Sequence, residues 1–153
     1  MEIVDARAQD AGAILGIQRL AFAPAAERYG DERLPPLVET AEEIAGDIRE
    51  QVVLVAVEGS EIIGSVRGVE RDGCVYVGRL IVHPASQRQG IARRLMLELE
   101  ARFAQAPCFE LFTGNLNEPG MGLYRQLGYV ETDRRPIKGT LELVYMRKTR
   151  TRS

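Results

Sequence analysis

Apolar positions along the chain follow two periods, and the switches between them outline the elements. The helical period is clearest where Ile91, Leu95, Leu99 and Phe103 recur every fourth residue, which predicts a helix over 90–105. Ile14, Ile17 and Ala21 share a face of a second helix, predicted over 11–22 with Asp10 as its N-cap. Thr40 followed by Glu43 forms a capping box that opens a short helix toward residue 50. Asn117 is a good N-cap, with Pro119 tolerated in the first turn of a helix that runs to Leu127 and stops at Gly128. Strand-like runs occupy 3–7, 52–57, 61–69, 74–82, 109–113, 129–132 and 140–146. Gly59-Ser60 and Asp72-Gly73 supply tight turns, so 52–82 reads as an antiparallel meander that ends before Pro84. Residues 23–39, with Pro24, Gly30, Pro35 and Pro36, read as irregular and are expected to serve as a lid or substrate loop. Neither linker nor repeat interrupts the pattern. The prediction is a single mixed α/β domain over 1–148, followed by a solvated basic tail over 149–153.

Composition changes this picture by exclusion. At 153 residues the chain suffices for one domain with a real core. A net charge of -2 offers no global basic field, so nucleic acid is not an expected partner. Cys74 and Cys108 stand far apart with no CxxC or Cys/His ligand spacing, so neither a disulfide nor a metal is expected, and a reducing compartment fits. The opening Met1-Glu2-Ile3-Val4-Asp5 lacks the features of a signal peptide, and no apolar stretch reaches the roughly 18–20 residues of a membrane span. A cytoplasmic protein with no membrane partner is the expectation.

Candidate chemistry concentrates where the strand over 74–82 turns into the helix beginning near Gly90. The first N–H groups of a helix have no intrahelical partner, and the positive end of its dipole points at whatever lies there. That arrangement suits a phosphate, with Gly90 allowing close backbone approach and Arg88 and Arg93 adding charge. Spacing alone does not separate this reading from a plain strand-to-helix turn. It does exclude a Walker A loop and a G-x-G-x-x-G dinucleotide turn.

The run Leu80-Ile81-Val82-His83-Pro84, then Gln87-Arg88-Gln89-Gly90-Ile91-Ala92-Arg93, resembles the acetyl-CoA signature of the GNAT superfamily of N-acetyltransferases. In that signature a strand ends in V-x-P and Q/R-x-x-G-x-G/A opens a helix. Downstream, Asn117 and the stretch Leu123-Tyr124-Arg125-Gln126-Leu127-Gly128-Tyr129 are similar to the family's N-x₆-Y-x₃-G-[FY] segment. The order of predicted elements also resembles the family fold over nearly the whole chain.

The resemblance implies a mostly antiparallel sheet with a splayed parallel pair and flanking helices, and acetyl-CoA as co-substrate without a metal. It implies that backbone groups of Leu80, Ile81 and Val82 line the pantetheine arm as an added strand would. Val82 would also offer an N–H to the developing oxyanion. Amides of Gln87, Arg88, Gln89, Gly90, Ile91, Ala92 and Arg93 would hold the pyrophosphate. Asn117 would touch the pantetheine arm, although an N-cap role explains it equally. Tyr124 takes the place of the family's general acid, donating to the departing thiolate; on sequence pattern alone it is an amphipathic core tyrosine.

The general base is less defined. Some family members carry a Glu five positions ahead of the Asn, and here that position is Phe112, so the assignment fails. Glu110, of the same strand parity, is the nearest carboxylate and becomes the candidate. Residues 22–50 hold eight acids against three arginines, an excess that would steer a cationic amine. Within that stretch Tyr29, Asp31 and Glu32 are the acceptor candidates, together with Arg79, which either faces the acceptor or snorkels to solvent. His83, the only histidine, reads as structural, and exposed edge strands are compatible with a homodimer. The expected reaction is acetyl transfer to a primary amine, on a small molecule or a peptide. A non-catalytic acyl-CoA-binding module and a transferase of longer acyl groups are the alternatives.

Overall fold

A computed structural model describes residues 1–150, with two compact units. The first comprises Met1–Val69 and Arg79–Ala104. It contains β1 (Glu2–Asp5), α1 (Ala11–Tyr29), α2 (Pro35–Val38), α3 (Ala41–Glu50), β2 (Val52–Glu58), most of β3 (Glu61–Arg71), the end of β4 (Cys74–Val82) and α4 (Ile91–Arg102). Its strands run in the order β1-β2-β3-β4. β1 pairs antiparallel to β2 with Ile3 opposite Ala56, and β2 pairs antiparallel to β3 with Leu54 opposite Val66.

Val53, Leu54, Val55 and Ala56 are all buried, because helices cover both faces of β2. Val53 and Val55 join Ile14 and Ile17 of α1, Ile44 of α3 and Ile81 in one apolar cluster. α4 packs on the sheet at two glycines of β3. A Cβ at Gly64 would stand 3.1 Å from Leu95 and one at Gly68 3.1 Å from Leu99, so both positions allow a close helix–sheet approach. Leu95, Met96 and Leu99 are fully buried there, each contributing roughly 1.5–3 kcal/mol.

The second unit comprises Glu70–Gly78 and Gln105–Ser153. It contains the start of β4, β5 (Cys108–Gly114), α5 (Glu118–Gln126), β6 (Val130–Lys138) and β7 (Leu141–Thr149), in the strand order β4-β5-β7-β6. β4 and β5 form a parallel pair, with Cys74, Val75 and Tyr76 opposite Cys108, Phe109 and Glu110. β5–β7 and β7–β6 are antiparallel. The result is the predicted mixed α/β class, with one parallel pair and flanking helices.

Several expectations are corrected. α1 does not end at Phe22 but continues through Pro24 to Tyr29, where Gly30 at φ 62 caps it onto the Ala26 and Glu27 carbonyls. Asp10 stands at the N-cap of α1 as expected, but its side chain makes no capping bond to that helix; its carboxylate accepts the Arg7 N–H at 2.7 Å and closes the preceding 3-10 turn. β6 extends to Lys138 rather than stopping at residue 132, since every one of its residues is exposed and no apolar alternation marks it. Pro136 is accommodated because β6 is an edge strand with a register shift at that point. Thr149 belongs to β7 rather than to a solvated tail, and Arg150 donates to the Ala106 carbonyl and lies over the Phe109 ring. Residues 151–153 lie outside the described part.

The cysteines overturn the expectation of free thiols. The parallel register places Cys74 directly opposite Cys108 with Cα atoms 4.9 Å apart, and they are joined by a disulfide. Sequence spacing carries no trace of this pairing, which the βαβ crossover alone creates.

Candidate active site

In the first unit, β4 runs through Leu80, Ile81 and Val82 into His83, whose Nδ1 accepts the Ala85 N–H at 3.0 Å and fixes the turn at Pro84. Gln87, Arg88, Gln89 and Gly90 follow, all exposed, with Arg88 at φ 67 and Gly90 at φ 77. Gly90 serves α4 as an N-cap with no side-chain acceptor. Arg94 is the first residue to close an intrahelical bond, onto the Gly90 carbonyl at 3.1 Å. The N–H groups of Ile91, Ala92 and Arg93 therefore have no partner among the described residues, and they face the positive end of a 12-residue helix. A Cβ at Gly90 would meet no protein atom within 4 Å, so what glycine contributes here is the left-handed backbone rather than room. This donor set fits a pyrophosphate.

The same unit holds a buried polar cluster that the sequence reading missed. Arg67 of β3 is only 4% exposed. Its Nη1 donates to Glu39 at 3.1 Å and Asp47 at 2.9 Å, and its Nη2 to Gln18 at 3.0 Å and Glu39 at 2.9 Å. Gln18, fully buried on α1, donates its amide to both Glu39 and the Pro36 carbonyl. Arg79, at φ 52 in β4, reaches the same Glu39 carboxylate through Nε at 3.5 Å. Burial alone pushes the Glu39 carboxyl up. Hydrogen bonds from Arg67 and Gln18 and the charges of Arg67 and Arg79 outweigh that and hold it at about 2. A signal for this cluster was present: an arginine inside the apolar run over 61–69 requires buried partners.

These pairings reduce the acidic excess assigned to residues 22–50. Glu39 and Asp47 neutralise Arg67 and Arg79, Glu43 completes the capping box on Thr40, and Asp31 accepts the Arg33 N–H at 2.8 Å. Tyr29 is the last residue of α1, and Asp31 and Glu32 follow its glycine cap.

In the second unit, Asn117 caps α5, accepting the Gly120 N–H at 3.2 Å and donating to Thr113 at 3.0 Å. Tyr124 is 8% exposed on α5, its ring edge-on to Tyr129. Burial raises its phenol to about 12. Its hydroxyl has no hydrogen-bond partner among the described residues. Glu110, half-buried, stands 3.6 Å from the Arg147 guanidinium and faces Tyr76, whose phenol it pushes up through a hydrogen bond and its charge. Phe112, where a family Glu was sought, is 57% exposed beside Tyr145.

Fold and turn together define an acyltransferase architecture. The PaiA N-acetyltransferase of Thermoplasma acidophilum, solved with coenzyme A, superposes with a TM-score of 0.84 at 19% identity, covering 97% of this chain and 98% of that one. The Salmonella typhimurium protein YncA, solved with acetyl-CoA, gives 0.78 at 22% identity over 97% and 93%. Residues 14–129 match the Acetyltransferase (GNAT) family, and the chain belongs to that family. The UPF0157 protein YqkA of Bacillus subtilis is 28% identical over 120 residues, which is 78% of this chain. The chain spans about a third, 34%, of the length of that relative.

Proposed function

We propose that the protein transfers an acetyl group from acetyl-CoA to a primary amine by direct attack. The observation that carries the reading is the unpartnered N-terminus of α4 at the Gln87–Ala92 turn, in a chain of the GNAT family. Acetyl-CoA supplies an activated thioester; every other task falls to the chain. Amides from Arg88 to Arg93 hold the pyrophosphate, and the backbone of Leu80 and Val82 orients the pantetheine arm and offers an N–H to the acetyl oxygen.

Tyr124 donates to the departing sulfur. A phenol at about 12 is a weaker acid than a thiol near ~8.5, so it acts chiefly as a hydrogen-bond donor and stays neutral throughout the working pH range. Glu110 is the carboxylate assigned to take the ammonium proton, and its pairing with Arg147 is the competing structural use of the same side chain. The test is an amine screen with acetyl-CoA that follows release of free thiol. Thiol release that depends on both acetyl-CoA and an amine supports transfer. Tight coenzyme A binding without release from any amine class would make the protein a binding module instead.

A further inference from the structure

Arg79 has an unusual backbone and an incomplete set of partners. In β4 the burial alternation breaks at this point: Gly78 is exposed, Arg79 and Leu80 are both half-buried, and Ile81 is buried. The break coincides with the left-handed φ of 52 at Arg79. For a long side chain that conformation is strained and persists only where the surroundings hold it. Strained backbone of this kind clusters at active sites and ligand clamps. What holds Arg79 is Glu39, which takes its Nε at 3.5 Å.

The two arginines on Glu39 differ in what remains. Arg67 has both terminal nitrogens engaged by Glu39, Asp47 and Gln18 and is sealed from solvent. Arg79 contributes only Nε, its side chain is 24% exposed, and its two terminal nitrogens have no partner among the described residues. Glu39 and Asp47 already balance the two guanidinium charges, so the cluster presents a planar fork of N–H donors with no local excess of negative charge to repel an anion. The residue after the fork is Leu80, the first of the three assigned to the pantetheine arm.

We propose that the acceptor amine also carries a carboxylate, as a free amino acid or a peptide with a nearby carboxylate does, and that the Arg79 fork binds it in bidentate fashion. Arg79 is then a specificity-determining residue, and Glu39, anchored by Arg67 and Gln18, positions it. This inference rests on the acetyl-transfer reading above.

The experiment pairs each amine acceptor with its amide, for example amino acids with amino acid amides, in the thiol-release assay on the full chain. The carboxylate member should be favoured by about tenfold or more in kcat/KM, the loss of one charge-assisted bidentate contact. Arg79→Met should remove that preference and Arg79→Lys restore part of it, with acetyl-CoA affinity unchanged by calorimetry. Equal use of acid and amide by the unaltered chain, or a preference that survives Arg79→Met, overturns the assignment and leaves acetyl transfer standing. If no amine releases thiol, the transfer reading fails. Calorimetric binding of the same acid and amide pairs, with coenzyme A present, then still decides the role of Arg79.

Discussion

Replacing Glu39 by Gln keeps the size of the side chain and removes the charge that joins α1, the α2–α3 segment, β3 and β4. The carboxyl is held at about 2 instead of its ordinary 4.5. At ~1.4 kcal/mol per pH unit this corresponds to roughly 3 kcal/mol of stabilisation, in the range expected when a buried ion pair loses one partner. Because the folded value lies below the unfolded one, the contribution is complete above about pH 5 and disappears as the pH falls toward 2. Urea unfolding of the unaltered chain and Glu39→Gln should differ by about 3 kcal/mol at pH 7, or about 6–12 °C in Tm. The gap should close progressively between pH 4.5 and 2, where both side chains are neutral. A difference that stays constant over that range would refute the electrostatic account, and one below about 0.5 kcal/mol would refute the pairing itself.

Three further outcomes follow from the site and the fold. Tyr124→Phe should retain acetyl-CoA binding by calorimetry and lower turnover by about tenfold or more; unchanged turnover on a genuine acceptor removes Tyr124 from the mechanism. Gly90→Glu should abolish coenzyme A binding, since it places a carboxylate on the anion seat and a Cβ at φ 77, and retained affinity contradicts the pyrophosphate assignment. Reduction of the Cys74–Cys108 bond, which closes a separation of 34 residues, should cost about 3–4 kcal/mol in urea unfolding. Titration of two free thiols in the denatured, unreduced chain would contradict the bond.

The parts of this protein readable from its sequence are those set by neighbours a few residues apart. The capping box of Thr40 and Glu43, the Asn117 cap and the amphipathic face of α4 depend on i,i+3 and i,i+4 geometry, and all three stand in the structure as read. The Gln87–Ala92 turn was legible for the same reason, since strand end, glycine and helix start lie within one short stretch. Where apolar periodicity was absent or a proline intervened, the reading failed. The last turns of α1 lie beyond Pro24, and β6 is exposed on both faces.

Tertiary structure decided everything that joins distant segments. Cys74 meets Cys108 because two parallel strands align them. Glu39 gathers Arg67 and Arg79 from 28 and 40 residues away, which offsets part of the acidic excess of residues 22–50. The left-handed Arg79, held by that carboxylate with its terminal nitrogens unengaged, belongs to the same category. Local sequence determines the unpartnered N-terminus of α4, proposed as the seat for the donor's phosphates, because a helix end needs only its own backbone to bind an anion. The proposed acceptor contact at Arg79 depends on charges brought together across the fold, and no single segment contains them.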